Sequence, residues 1–72
     1  MTEMEKIAML EEIMELDEGT LSVDSVLEEF DEWDSITALS IIAMMDETFG
    51  KTITGADVKA FKTVGDILKI ME

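Results

Sequence analysis

The strongest constraint on how this chain folds is a run of apolar residues at helical spacing, which begins after Ser35 and stops at Gly50. One broad apolar face consists of Ala38, Ile41, Ile42, Met45 and Phe49. A second stripe, rotated away from the first, consists of Ile36, Leu39 and Ala43. This spacing predicts an amphipathic helix that Gly50 ends. A domain of 72 residues buries two faces of one helix with difficulty, so the second stripe is predicted to be a contact surface.

The N-terminal segment predicts another helix. Thr2 and Glu5 have the three-residue spacing of a capping box. Apolar residues then recur at helical spacing to about Leu16, and Gly19 follows as a stop signal. The positions expected to face inward are Ile7, Leu10, Ile13 and Met14. The positions expected on the opposite side are Glu11, Glu12 and Glu15.

Weaker signals occupy the segments between the helices. Residues 20–34 form a long stretch without a sustained apolar period, and its apolar residues are expected to pack down onto the helices. Residues 26–30 are expected to form a short helical turn, and residues 55–60 a short helix. Residues 51–54 are the one brief strand-like pattern.

The C-terminal segment completes the predicted fold. Thr63 and Asp66 repeat the capping spacing and begin a last helix that runs to the chain end. Its inward positions are Val64, Ile67, Leu68 and Met71. We therefore expect residues 1–72 to form a single all-α domain. The architecture is a small four-helix bundle of three longer helices and one short helix, with a long loop after the first helix.

The residue types that are missing narrow the functions open to this chain. It has no cysteine, histidine, tyrosine or arginine. It therefore lacks disulfides, thiolate metal ligands, the commonest general base and the side chain that clamps phosphate in two places. This composition argues against an enzyme. No window that begins at Asp17, Asp24 or Asp31 has the calcium-loop pattern, so no metal site is predicted.

The charge of the chain is strongly acidic and regional. The net charge is −13, and no lysine occurs from Ile7 to Gly50. Such a field repels nucleic acid and anionic membranes and attracts basic protein surfaces. No apolar run approaches the ~20 residues of a membrane span, and the N-terminus lacks the basic start of a signal peptide. We therefore expect a cytoplasmic monomer that binds basic proteins and neither spans a membrane nor binds nucleic acid.

Ser35 is the residue of most chemical interest, because it follows Asp34 at the start of the central helix. Backbone N–H groups in the first helical turn and the helix dipole both favour a phosphate at such a position. The simplest interpretation of the pair is an ordinary helix cap, since Asp and Ser are preferred caps. The alternative is a site that holds a phosphate.

Three motifs together resemble the acyl carrier protein family, and the resemblance covers nearly the whole chain. The first is Asp34-Ser35-Ile36, at the head of a helix near the middle of an acidic chain of this length. The second is the helix end Asp46-Glu47-Thr48-Phe49-Gly50, and the third is Thr63-Val64-Gly65-Asp66-Ile67.

The resemblance implies that Ser35 carries 4′-phosphopantetheine, transferred from coenzyme A by a phosphopantetheinyl transferase that Asp34 helps to engage. The thiol of this arm would carry acyl intermediates as thioesters to enzymes of fatty acid or specialised acyl and polyketide-type biosynthesis. The carrier itself would catalyse nothing. The face offered to basic patches of partner enzymes would be Asp34, Ile36, Leu39, Ala43 and Glu47. The interior that shelters the acyl chain would be lined by Ile41, Ile42, Met45, Ile53 and Phe61.

Some surroundings of Ser35 differ from the family pattern. Family members often have a glycine and then a small or aliphatic residue where Glu32 and Trp33 stand, and a glutamate where Ser40 stands. A dedicated system for a specialised acyl product is compatible with this difference. Trp33 either covers the loop or packs on the arm or on a partner. The methionines interpreted as core residues are Met4, Met9, Met14, Met44 and Met45.

Two alternatives stay open. Peptidyl and D-alanyl carrier proteins share the serine and the fold with acyl carriers, although strong acidity favours the acyl type. In a different class, the chain would be an unmodified acidic helical module that binds a basic partner through the same exposed stripe.

Overall fold

The computed structural model describes residues 2–71 and shows an all-helical bundle. The α-helices are α1 (Glu3–Ile13), α2 (Ser35–Phe49), α3 (Gly55–Ala60) and α4 (Val64–Leu68), with a 3₁₀ helix at Leu27–Glu29. Helix α2 packs against α1 and α3, and α1 also packs against α4. Over the described range there is no strand, only an isolated antiparallel bridge between Val26 and Thr63. The predicted all-α fold with four helices is therefore confirmed.

The relative lengths of the helices differ from the expectation in one respect. Helix α3 has 6 residues and α4 has 5, so the bundle has two long and two short helices rather than three long ones. Lys69 and Ile70 form a turn, so the prediction of a last helix that runs to the chain end is wrong. Even so, the predicted inward positions are correct, because Val64, Ile67 and Met71 are fully buried and Leu68 is partly buried against the core.

The helix starts follow the capping patterns. The Glu5 N–H donates to Thr2 Oγ1 (3.2 Å), and the Thr2 N–H donates to the Glu5 carboxylate (3.0 Å). Helix α3 has an equivalent box formed by Thr54 and Asp57, which the sequence analysis did not predict. Asp66 accepts hydrogen bonds from the two backbone N–H groups just before α4. Each helix start thus has a carboxylate that satisfies free N–H groups.

The end of α1 comes earlier than the apolar pattern predicts. The prediction of a helix to about Leu16 is wrong, because Glu15 takes a left-handed conformation with φ of 57°. The Leu16 N–H then bonds to the Glu11 carbonyl and the Glu15 N–H bonds to the Glu12 carbonyl. These two bonds form a Schellman motif. Glu15 therefore occupies the position that a glycine usually holds, and Gly19 lies in the following turn.

The hydrophobic core draws on every helix and on the long loop. Its buried members are Leu10, Met14, Leu21, Leu27, Ile41, Met44, Met45, Ile53, Val58, Phe61, Val64, Ile67 and Met71. Leu21 and Leu27 come from the loop between α1 and α2 and pack down onto the helices as predicted, whereas Val23 and Val26 of the same loop are exposed. Met14, Met44 and Met45 are core residues as predicted, and Met9 is partly buried. The prediction that Met4 is a core residue is wrong, because its side chain is 81% exposed.

Backbone hydrogen bonds tie the long loop to the start of α4. The Gly65 N–H donates to the Val23 carbonyl (2.9 Å), and the Val64 N–H donates to the Ser25 carbonyl (3.0 Å). The contact is close: a Cβ atom on Gly65 would lie 3.1 Å from Val23 Cγ1. These bonds order the segment that leads to Ser35.

Glu11 is the clearest departure from the predicted pattern of α1. The sequence places it on the polar side, but this residue is only 4% exposed. Its Oε2 atom accepts a hydrogen bond from the N–H of the buried residue Leu21 (2.9 Å). The carboxylate therefore connects α1 to the start of the long loop, and its burial is explained by a partner that is distant in sequence.

Replacing Glu11 with alanine is expected to lower the free energy of unfolding by about 1–3 kcal/mol, because the buried Leu21 N–H loses its acceptor. Glu11→Gln keeps an acceptor oxygen and is expected to lose less. Glu12→Ala is the matched control, since Glu12 is exposed and surface changes stay within about 0.5 kcal/mol. Urea denaturation followed by circular dichroism measures all three. Equal effects of Glu11→Ala and Glu12→Ala would contradict this role.

Candidate functional site

Ser35 is the first residue of α2 and is exposed to solvent. The capping oxygen comes from Asp34, whose Oδ1 atom accepts the Thr37 N–H at 2.9 Å. The capping function therefore does not occupy the Ser35 hydroxyl. The predicted start of the helix and its end at Gly50, which has a φ of 64°, are both confirmed.

The turn before Ser35 is fixed by a residue that sequence reasoning missed. Thr37 is buried, with 7% of its surface exposed, and its hydroxyl donates to the Glu32 carbonyl at 2.6 Å. The Asp34 N–H donates to the same carbonyl at 3.0 Å. A threonine three residues after a capping aspartate was the available signal. Thr37 thus holds both the cap and the preceding turn in place.

Asp34 places a negative charge next to Ser35. The hydrogen bond from the Thr37 backbone N–H is the main reason that the pKa of the Asp34 carboxyl lies below its usual range. A carboxylate that accepts backbone N–H bonds is favoured in its charged form. Asp34 therefore stays ionised at neutral pH beside the exposed hydroxyl.

The predicted contact residues lie together on the outer side of α2. The side chains of Ile36 and Leu39 are 74% and 67% exposed, which is unusual for large apolar residues in so small a domain. Ala43 and Glu47 are also exposed and continue the same stripe. We call Asp34, Ile36, Leu39, Ala43 and Glu47 the α2 stripe. The α2 stripe combines exposed apolar side chains with acidic side chains at its two ends.

The predicted interior residues lie on the buried side of the bundle. Ile41 and Met45 of α2 are fully buried, and Ile53 and Phe61, which flank α3, are each 8% exposed. Ile42 is only partly buried and packs against this core from the edge. The structure buries four of the five residues in the hydrophobic core that all the helices share.

Several surface depressions border α2, and two of them differ clearly in size. The larger, of about 450 Å³, lies between α1 and α2, with Met9, Ile13 and Met44 on its walls. The smaller, of about 210 Å³, lies beside Ser35 and is lined by Trp33, Asp34, Ser35, Ala38, Val58 and Lys59. We call the smaller one the Ser35 cleft. It joins the start of α2 to α3.

A comparison with protein-family models matches residues 7–70 to the phosphopantetheine attachment site family. The chain belongs to this family. Comparisons with curated proteins and with solved structures found no match. Members of the family carry covalently attached 4′-phosphopantetheine. The prediction of a phosphopantetheine-dependent carrier protein is therefore confirmed, and with it the predicted cofactor.

The residues around the start of α2 fit a covalently attached arm. The exposed Ser35 hydroxyl has room for a substituent, and backbone N–H groups of the first helical turn favour an anion there. The arm supplies a terminal thiol, which a carrier domain without cysteine does not otherwise possess. Carrier domains of this kind interact with phosphopantetheinyl transferases and with biosynthetic enzymes.

Among residues 2–71, no group of three or more carboxylates is placed to hold a metal ion. None of the helices in that range is long and apolar enough to cross a membrane.

Removing the Asp34 cap is expected to make the stability of the carrier domain depend less on pH in the acidic range. Because the folded pKa is lowered, the ionised carboxylate stabilises the fold fully above the unfolded pKa of about 4, and this stabilisation is lost as pH falls through the folded pKa. Asp34→Ala is therefore expected to lower Tm at pH 7, with a difference from wild type that shrinks below about pH 4.

The control for this pH series is Asp31→Ala, which removes an exposed acid from the same turn without removing the cap. Its difference from wild type is expected to be small at pH 7. Thermal melts from pH 7 to pH 3 measure both variants. A Tm difference for Asp34→Ala that stays constant over this series would contradict the assigned role of the carboxylate.

Proposed function

We propose that this carrier domain is an acyl carrier protein whose phosphopantetheine arm is attached to Ser35. The observation that supports this most is the exposed Ser35 hydroxyl at the first position of α2, with Asp34 acting as the cap in its place. The carrier presents acyl thioesters to enzymes of fatty acid biosynthesis or of specialised acyl or polyketide-type biosynthesis. It catalyses no step itself.

The attachment is a phosphoryl transfer to the Ser35 hydroxyl. The Ser35 Oγ atom loses its proton and forms a bond to the phosphorus that bears the pantetheine of coenzyme A. The pyrophosphate P–O bond breaks, and the nucleotide bisphosphate leaves with the bridging oxygen. The chain has no histidine, and the base and the metal for this step belong to the transferase. Asp34, ionised and adjacent, is the contact that we assign to that enzyme.

The α2 stripe is the surface that we assign to partner enzymes. Ile36 and Leu39 provide apolar anchors, while Asp34 and Glu47 provide negative charge at the two ends of the stripe. Basic patches beside partner active sites complement this arrangement and speed encounter at low salt. Because Ser35 lies at one end of the stripe, docking there brings the arm to the partner.

The part of the hydrophobic core formed by α2 and the residues that flank α3 is the interior that we assign to the acyl chain. Ile41, Met45, Ile53 and Phe61 form a wholly apolar environment, and Ile42 borders it. Methionine is flexible and adapts to irregular space, so Met45 suits an interior that opens around a chain. If Met45→Leu leaves the protection and the length preference of a bound acyl chain unchanged, this role of Met45 is excluded.

The proposal also covers the organisation and the location of the protein. Residues 1–72 act as one carrier domain, monomeric and cytoplasmic. The net charge of −13 keeps copies apart through mutual repulsion, which supports the monomer.

Intact-mass spectrometry tests the function. The purified chain is incubated with coenzyme A and a broad-specificity phosphopantetheinyl transferase, and a parallel sample omits the transferase. One phosphopantetheine-sized mass gain in the complete reaction alone is the expected result. No gain would exclude the carrier function and favour the alternative, an unmodified acidic module that binds a basic partner through the α2 stripe.

A second experiment separates acyl carriers from peptidyl and D-alanyl carriers. The loaded chain is incubated with a malonyl-transferring enzyme and, in a separate reaction, with a D-alanine-activating ligase. The strong acidity of the whole chain, which has a net charge of −13, favours loading with malonate. Loading with the amino acid alone would contradict assignment to the acyl type.

A further inference from the structure

The Ser35 cleft has a composition unlike that of the surface around it. Its walls are apolar where Trp33 and Ala38 on one side face Val58 of α3 on the other. Trp33 is partly buried and packs against the core, so its ring is held in place rather than exposed fully. The cleft is open to solvent and lies directly beside the Ser35 hydroxyl.

Two charged residues line the Ser35 cleft, the acidic Asp34 and the cationic Lys59. The sequence from Ile7 to Gly50, which includes Ser35, contains no cation. Lys59 reaches this region from α3 and is the cationic side chain that lines the cleft. Helix α3 therefore supplies a positive group beside a serine whose own neighbourhood in sequence is acidic. Such a group attracts a phosphate diester, which is negatively charged.

We propose that Lys59 and Trp33 hold the base of the phosphopantetheine arm against the domain, an inference that rests on the proposed attachment to Ser35. Lys59 pairs with the phosphodiester. Trp33, Ala38 and Val58 contact the branched alkyl group that follows the phosphate in the arm. The arm is thus restrained at its base, while its thiol end stays available to partners.

The chemistry of the arm matches the order of groups in the cleft. Along the arm, the phosphate on Ser35 is followed by a compact dimethyl-substituted carbon and then by the first amide. The group nearest the serine is therefore an anion, and the next group is apolar. The pairing of Lys59 with the phosphate is exposed, so it is expected to be weak and to be screened by salt. The apolar contact with Trp33 is expected to persist in salt, because it depends on buried area.

Trp33 is the one tryptophan of the chain, so tryptophan emission reports on the surroundings of this one side chain. Emission spectra of the apo and the loaded forms are recorded for wild type and for Lys59→Ala. Lys62→Ala is the matched control, because Lys62 is an exposed lysine that does not line the cleft. Intact mass confirms loading of each sample, and the phosphorus NMR resonance of the diester is recorded on the same material.

Loading is expected to change the emission of Trp33 in wild type and in Lys62→Ala. Lys59→Ala is expected to reduce that change in part, because the apolar contact with Trp33 remains, and to shift the phosphorus resonance. No change of Trp33 emission in fully loaded wild type would overturn the proposal, as would identical spectra and phosphorus shifts for wild type and Lys59→Ala. A chain that gains no mass would instead show that the proposed carrier function is wrong, and the cleft assignment would fall with it.

Discussion

Replacing Ser35 with alanine is expected to abolish the phosphopantetheine mass gain completely. The alanine has no oxygen to form the bond to phosphorus, and no other residue is expected to substitute for it. The fold is expected to persist, because Asp34 supplies the cap and alanine is the best helix former. Intact-mass spectrometry after incubation with coenzyme A and the transferase measures the loss, and circular dichroism checks the helix content.

Two serine variants serve as controls for this loss. Ser40 is exposed on the same helix, and its hydroxyl donates only to the Ile36 carbonyl at 3.2 Å. Ser22 lies in the long loop, where its N–H donates to Ser25 Oγ at 2.9 Å. Ser40→Ala and Ser22→Ala are both expected to gain the full mass. A mass gain in Ser35→Ala, or its loss in either control, would be incompatible with attachment to Ser35.

Replacing Ile41 with alanine is expected to lower the free energy of unfolding by about 2–5 kcal/mol, the usual cost of such a cavity in a packed core. Ile41 is completely buried at the centre of α2. A single core in a domain of this size rarely supplies more than about 3–5 kcal/mol. The variant is therefore expected to be largely unfolded at 25 °C, as measured by urea denaturation followed by circular dichroism.

Ile36→Ala is the matched control, because it is the same substitution in the same helix at a side chain that is 74% exposed. Its stability is expected to stay within about 0.5 kcal/mol of wild type. Since Ile36 belongs to the α2 stripe, the rate at which partner enzymes process the loaded carrier is expected to fall. Equal destabilisation by the two variants would mean that the buried and exposed faces of α2 are assigned incorrectly.

Local signals allowed much of the fold to be predicted from the sequence. The start of α2 at Ser35 and its end at Gly50 follow from a capping aspartate and a left-handed glycine, which act within a few residues. The burial of Glu11 was not predictable in this way. It depends on the N–H of Leu21, ten residues away, and the apolar period of α1 does not show that partner.

The same distinction applies to the site. Asp34 and Ser35 are adjacent in the sequence, and these two residues predicted the start of α2 correctly. The Ser35 cleft depends on α3 packing against α2, so the presence of Lys59 beside Ser35 could not be predicted from the spacing of residues. Thr37 lies between these cases. Its position three residues after Asp34 suggests a contact with the cap, but its burial depends on the position of the preceding turn in the fold.

Fragmentation mass spectrometry of the loaded wild-type chain tests the central claim most directly. The modified protein is digested, and the peptide that releases a pantetheine fragment ion is sequenced. We expect one modified peptide, with the added mass located on Ser35. Location of the mass on any other serine or threonine, such as Ser22, Ser25 or Ser40, would contradict the account.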